Sequence, residues 1–253
     1  MTIHLVPVDL GPGVEGWFTG RDPDRPQPAV GSAGSLSHRR PHRPADLAAA
    51  RHEVAELTGC PMEAWHLMHQ VHGTEVAGID EHTPVGMELR GVDALVTGCA
   101  QRPLVVQVAD CVPVLLAAPH RVGAVHAGRL GVAGGIVGRT VQRLLDPGEE
   151  PGRVRAVIGP SIGGCCYEVP AALRDEVAAT WPQAGASTRW GTPSLDLPAT
   201  VEAQLREAGV AHVERLGICT LEDERFFSHR RDPNAGRQVG IVTRQGDSGE
   251  MAA

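Results

Sequence analysis

Lysine is missing from this sequence: all 23 of its basic side chains are arginine, and its only asparagine is Asn234. That absence excludes the phosphate-binding lysine of a P-loop, Schiff-base catalysis through a lysine amine and the lysine of a kinase-like site. Anion recognition falls to arginine, to backbone N–H groups or to a metal. Aromatic residues make up only 3%, so aliphatic side chains must fill the core. The six cysteines contain no C-x-x-C pair, which removes zinc-ribbon and thioredoxin-type motifs. Six in 253 is also far below the density of a disulfide scaffold. There is no run of 18 apolar residues, and the opening MTIHLVPVDLGPG has neither a basic stretch nor a long apolar one. These absences point to a cytoplasmic protein with reduced thiols and no membrane partner. The net charge of −7 provides no broad basic face for nucleic acid.

What is present is globular. With 42% apolar and 21% charged residues over 253 positions, the chain can bury about 70–75% of its unfolded surface without staples. Alternation predicts strands over 3–8 and 16–19. Residues 21–45 hold proline, arginine and a Gly/Ser stretch without periodicity, and read as a long loop. Asp46 is placed to cap a helix that runs to Gly59. Strands are expected at 65–71, 93–97, 104–108, 112–117, 123–126, 154–158, 213–218 and 238–243. Helices are expected at 132–145, 170–180 and 198–208. The polar tail beyond 245 is expected to be frayed. Strands and helices alternate without a composition break, so one α/β domain follows. Several strands lie too close together for helical crossovers, so the sheets are mixed.

Three segments share one design, an apolar strand ending in a ligand-type residue beside a Gly or Asp turn: His69-Gln70-Val71-His72-Gly73, Ala109-Asp110-Cys111-Val112-Pro113 and Val125-His126-Ala127-Gly128. Sites at strand ends are common in α/β proteins. Two His and one Cys make a three-ligand zinc set with an open fourth position. His69 competes with His72; the two point to opposite faces of an extended strand and do not easily share one ion, and the glycine after His72 favours His72. The same residues also spell a nucleophile and its base, Cys111 and His126, with Asp110 to orient the histidine. Spacing alone does not separate a metal thiolate from a nucleophilic one, because both need a depressed pKa.

Three further segments stand out. Gly159 to Glu168 reads GPSIGGCCYE, whose glycine spacing is neither a dinucleotide fingerprint nor a Walker motif. It holds the adjacent pair Cys165-Cys166, read as two packed thiols because a vicinal disulfide is strained, and Tyr167, the only tyrosine. The segment FFSHRRD places Arg230 and Arg231 where either guanidinium could fork onto a phosphate or pair with an acid. Arg129 follows His126 closely, at the start of the next helix, a favourable place for an anion.

Taken in order, QVHGTEV, DALVT, ADCVPVLL, VGAVHAGRLGV, GPSIGGCCYEV and CTLEDERFFSHRRDPNAGRQ resemble the laccase-domain, or polyphenol-oxidase-like, family over roughly residues 16–242. Members of that family are regarded as purine nucleoside phosphorylases with adenosine deaminase activity. The resemblance implies an α/β (α+β) fold: a single domain over 1–245, with mixed β-sheets flanked by helices, distantly similar to cysteine-hydrolase-like toxin domains. It implies a catalytic zinc on His72, Cys111 and His126, with copper as the alternative ion. It implies small-molecule partners, phosphate with adenosine, inosine, guanosine or 5′-methylthioadenosine, and a monomer is expected. By motif, Asp110 and Glu168 are the candidate acid and base, and Gln70, Arg129 and Arg230 the candidate substrate and phosphate ligands. The rival readings are a thiol-dependent hydrolase or peptidoglycan-precursor editing factor using Cys111 and His126, an impaired paralogue, and a copper polyphenol oxidase. Two departures stand out. The family's HAGWRG is His126-Ala-Gly-Arg129-Leu-Gly131 here, so the tryptophan is gone and the arginine sits one residue early, which changes its reach. A Ser-Leu-Asn-Leu-Gly-like segment has become Gly34-Ser35-Leu36-Ser37-His38, without its asparagine.

Overall fold

The computed structural model describes residues 3–26 and 28–246. Its strands are β1 (Ile3–Asp9), β2 (Val14–Arg21), β3 (Leu67–His69), β4 (Val76–Ile79), β5 (Glu88–Arg90), β6 (Ala94–Thr97), β7 (Leu104–Val108), β8 (Val112–Ala117), β9 (Val122–Ala127), β10 (Arg155–Ile158), β11 (Gly185–Ser187), β12 (Pro193–Leu195), β13 (His212–Arg215) and β14 (Gln238–Arg244). Its helices are α1 (Pro44–Thr58), α2 (Arg129–Ala133), α3 (Ile136–Leu144), α4 (Ala171–Thr180) and α5 (Leu197–Glu207). β1-β2-β14-β7 form a four-stranded sheet whose pairings are all antiparallel. β13-β10-β8-β9-β6-β4 form a mixed six-stranded sheet, parallel only at its two edges. β11-β12 and β3-β5 are small ribbons.

The buried side chains sort these elements into layers. Leu104, Val106 and Val108 of β7 meet Leu115 and Ala117 of β8 between the two sheets. Val112, Val114 and Leu116 of β8 point the other way, onto Ile136, Val137 and Val141 of α3 and Val201 and Leu205 of α5. Val105 of β7 turns outward to Val54 of α1, Trp65 and Ile241. The period-two alternation of a strand thus serves two cores at once, which is why 104–108 and 112–117 read as unbroken apolar runs. Leu115 is fully buried between the sheets. Leu115→Ala is expected to cost about 2–5 kcal/mol, read from the shift in a urea unfolding midpoint.

Several element ends differ from expectation. α1 starts at Pro44 after Arg43, and Asp46 does not cap it: it lies in the first turn and pairs with Arg43 (Nε–Oδ2 2.6 Å). Proline, preset for helical φ and lacking an N–H, makes the better first residue. The single helix expected over 132–145 is two, broken at Gly134-Gly135, where Gly135 has φ 77°. The strand expected at 65–71 shrinks to β3, and that at 213–218 to β13. β4, β5, β11 and β12 were not anticipated; three or four residues hold too few periods to show a pattern. Gln245 is tied down, its N–H donating to Gly13 O (2.8 Å); the rest of the expected frayed tail, from 247 on, lies outside the described residues. Among the described residues no helix is long and apolar enough to cross a membrane.

Candidate metal centre

The antiparallel β8–β9 pairing sets Val112 opposite Ala127 and Pro113 opposite His126. Cys111, just ahead of β8, therefore lies beside His126 near the end of β9. His72 arrives from the turn between β3 and β4. Donor atoms of His72, Cys111 and His126 all lie within 4.8 Å of one another, and the two imidazoles meet edge to face with centroids 4.8 Å apart. Gly128 makes room for this approach: a Cβ there would sit 2.7 Å from His72 Cδ2 and 3.3 Å from Cys111 Sγ. His126 is 3% exposed, Cys111 is half-buried and His72 is exposed, so the centre opens on the His72 side. His69, which ends β3, is not in the cluster.

One buried carboxylate builds this geometry. Asp93, 0% exposed, accepts the N–H groups of Val71 (3.2 Å), His72 (3.0 Å) and Gly73 (2.7 Å) and the Nδ1–H of His126 (2.7 Å). It therefore fixes the His126 tautomer, leaving Nε2 free as a donor to a metal. It also clamps the turn that holds His72 at φ 62°, a left-handed conformation that a non-glycine residue adopts only when its surroundings impose it. Burial pushes the Asp93 carboxyl up, but His126 and the backbone donors outweigh it and hold it below the usual value. Asp93 takes the orienting role expected of Asp110. The Asp110 carboxylate turns elsewhere, accepting Thr220 Oγ1–H (2.6 Å) and the Arg230 N–H (2.8 Å).

Burial pushes the Cys111 thiol up, yet the His126 charge and hydrogen bonds from both imidazoles pull it down to about 6. Burial pushes His126 down, while Cys111 and Asp93 bring it up to about 9. The pair thus favours a thiolate at neutral pH, the form that binds metals and attacks electrophiles. Cys60 goes the other way, burial pushing it up to about 11. A thiolate and two imidazoles, one braced through its second nitrogen by a carboxylate, suit a divalent transition metal.

The centre faces a cleft lined by Arg39, Arg40, Arg237, Met68, Gln70 and Gln107, with Ser37 at its edge. Gln70 is spent on bracing: its Nε2 donates to Gln107 O (2.7 Å) and its Oε1 accepts the Gln107 N–H (2.9 Å). Gln107 itself is 7% exposed, and its Nε2 has no hydrogen-bond partner, which leaves a donor available to whatever fills the cleft. Arg230 stacks on the Tyr167 ring (Cζ to centroid 5.2 Å), and the charges of Arg129 and Arg230 both act on the Tyr167 phenol. Burial and then the Cys111 charge push the Tyr167 phenol up, against the pull of Arg129 and Arg230. α2 is only five residues long, so the guanidinium of Arg129, not a helix dipole, is what this position offers an anion. Arg231 is committed to the carbonyls of Thr220, Leu221 and Phe226. Glu168 is exposed and bonded to Trp190 Nε1 (2.9 Å). Of the expected site residues Gln70 lines the cleft, whereas Asp110, Glu168, Arg129 and Arg230 do not, and neither does Tyr167. No motif or periodicity points to Asp93, Gln107 or Arg237; Arg39 and Arg40 carry one weak signal, their place in a long loop.

A mixed α/β domain with one mononuclear candidate centre at its strand ends is the class that fold and site define. The chain belongs to the family described as multi-copper polyphenol oxidoreductase laccase, whose model matches residues 17–245. It is 42% identical over 201 residues to a Streptomyces griseus protein named purine nucleoside phosphorylase ORF3, covering 79% of this chain and 82% of that one. It is 36% identical over 220 residues to a Deinococcus radiodurans purine nucleoside phosphorylase, covering 83% of each. The crystal structure of YlmD from Geobacillus stearothermophilus matches with a TM-score of 0.81 at 30% identity over 93% of both chains. Neisseria meningitidis NMB0706 matches with a TM-score of 0.81 at 27% identity, covering 96% of this chain and 99% of that one. The multicopper chemistry in the family's description does not fit the side chains here. It needs several grouped histidines beyond His72 and His126, and the one other ligand-type cluster among the described residues contains none.

Proposed function

We propose that this protein is a zinc-dependent purine nucleoside phosphorylase of the cytoplasm, acting as a monomer on adenosine, inosine, guanosine or 5′-methylthioadenosine, and that it also deaminates adenosine. The observation that carries this reading is a Cys111–His72–His126 centre opening into a cleft rich in arginine, in a chain without lysine. The names of the relatives support it. When bound, the ion supplies Lewis-acid polarisation of an oxygen on substrate or water. The chain's own residues do the rest by positioning. Arg129 and Arg230 form no ion pair with a carboxylate among the described residues; Arg230 spends one donor, Nη1, on Glu168 O (3.1 Å), and its remaining donors and those of Arg129 hold phosphate against the ribose C1′. Phosphate oxygen forms the new bond to C1′ as the bond to the base nitrogen breaks, and the base takes up a proton. Tyr167, whose phenol burial keeps protonated against the pull of those arginines, is the O–H donor offered on that side. Gln107 Nε2 is the donor offered to the nucleoside within the cleft. Asp110 positions Arg230 through the backbone, and we assign it that role in place of acid or base.

Arg230→Gln tests the phosphate assignment. Losing one charge-assisted pair worth about 1.5–3 kcal/mol is expected to raise the KM for phosphate roughly 10- to 100-fold while leaving the nucleoside KM near its original value. An equal rise in both would overturn the assignment. A second reading, a thiol hydrolase, has one observation in its favour: His126 bridges Cys111 and Asp93 in the manner of a Cys–His–Asp triad. A thiol hydrolase keeps its turnover in chelator, whereas a zinc phosphorylase loses it.

A further inference from the structure

A second cluster lies outside this cleft. The thiols of Cys165, Cys166 and Cys219 and the carboxylate of Glu222 place one donor atom each within 4.8 Å of all the others. They come from two turns far apart in sequence. In one, the N–H groups of Cys166 and Tyr167 both donate to Gly163 O (2.9 Å each); in the other, those of Glu222 (3.1 Å) and Asp223 (2.9 Å) donate to Cys219 O. The backbone stitches the turns together: Ser161 N–H donates to Ile218 O (3.2 Å) and Thr220 N–H to Ser161 O (3.0 Å). Gly163 N–H donates to Cys219 Sγ (3.4 Å), and Cys165 Sγ–H to Glu222 Oε2 (3.7 Å). Cys166 is 1% exposed. Cys165, Cys219 and Glu222 line a small solvent-open cleft whose rim includes Arg215, and Arg189 pairs with Glu222.

We propose that Cys165, Cys166, Cys219 and Glu222 form a second, structural zinc site that locks the 161–167 and 219–223 turns together. Three sulfurs and one oxygen are a full tetrahedral set, and thiolates select zinc over hard cations. Zinc–sulfur bonds of about 2.3 Å put two sulfurs of one ion about 3.8 Å apart, inside the 4.8 Å within which the donor atoms of this cluster lie. Arg189 and Arg215 offset part of the negative charge that three thiolates and a carboxylate bring to one dication. The site is one residue from the main centre's surroundings, because Thr220 follows Cys219 and holds Asp110, the neighbour of Cys111. The inference does not depend on the reaction catalysed at the first centre.

The test is zinc content by elemental analysis of reduced, untagged full-length protein after zinc loading and gel filtration. Two zinc per chain are expected in the native sequence and one in Cys111→Ser. One is also expected in Cys165→Ser/Cys219→Ser, which spares the buried Cys166, and none in the triple variant. Cadmium titration of Cys111→Ser is expected to give a thiolate charge-transfer band that saturates at one equivalent and is absent from the triple variant. One zinc in the native protein with none in Cys111→Ser would overturn the second site. So would a Cys165–Cys219 or Cys166–Cys219 disulfide that persists in reductant, found by peptide mapping.

Discussion

Cys111→Ser is expected to abolish turnover, by at least about 10³-fold in kcat/KM or roughly 4 kcal/mol of transition-state stabilisation, and to remove one equivalent of metal. The substitution alters one atom, but that atom is the only soft donor of the first centre. A serine hydroxyl stays protonated at neutral pH, whereas the native thiol is brought down to about 6 by the imidazoles around it. His126, 3% exposed, then loses the partner that raises it to about 9. Two imidazoles alone, one of them exposed, hold a divalent ion far more weakly than two imidazoles and a thiolate. Elemental analysis with a phosphorolysis assay checks this. A variant that keeps metal and rate would remove Cys111 from the centre.

Asp93→Asn is expected to weaken metal binding 10- to 100-fold without touching the metal, because it changes the group behind two of the three donors. The native carboxylate accepts from three consecutive backbone N–H groups and from His126 Nδ1. An amide of the same size offers one acceptor oxygen and turns an NH₂ toward donors. Part of the cost falls on stability, roughly 1.5–3 kcal/mol for each charge-assisted hydrogen bond lost, since the left-handed backbone at His72 loses its clamp. The diagnostic readout is zinc affinity by competition with a chelator, followed by turnover at saturating zinc. Weaker binding with activity largely rescued by excess zinc identifies a positioning residue. Unchanged affinity would contradict the role.

The central strands were legible in the sequence because both faces of β7 and β8 are buried, giving unbroken apolar runs bounded by turn residues. The pairing of Cys111 with His126 was nearly legible too: fifteen residues and one tight connection bring the start of one strand beside the end of the next. His72 was not placed by spacing: the glycine that follows it favours it over His69, and the resemblance to a family motif implies the same choice. Asp93 was hidden because an acid before a strand looks ordinary. What makes it functional is register: Ala94 lies opposite Val125, which sets Asp93 against His126 across the β6–β9 ladder. Asp110 attracted the orienting role by adjacency to Cys111, although consecutive residues of an extended chain point to opposite sides. The arginines of the cleft come from the 22–43 loop and from Arg237, whose convergence is a tertiary fact with no local signature.

The most direct test of phosphorolysis is to incubate the zinc-loaded protein with inosine and inorganic phosphate and follow the products by phosphorus NMR and chromatography. Hypoxanthine and ribose 1-phosphate are expected in equal amounts, formed only when phosphate is present and lost in Cys111→Ser. Inosine left intact by the zinc-loaded protein, or free ribose released at a rate independent of phosphate, would contradict it.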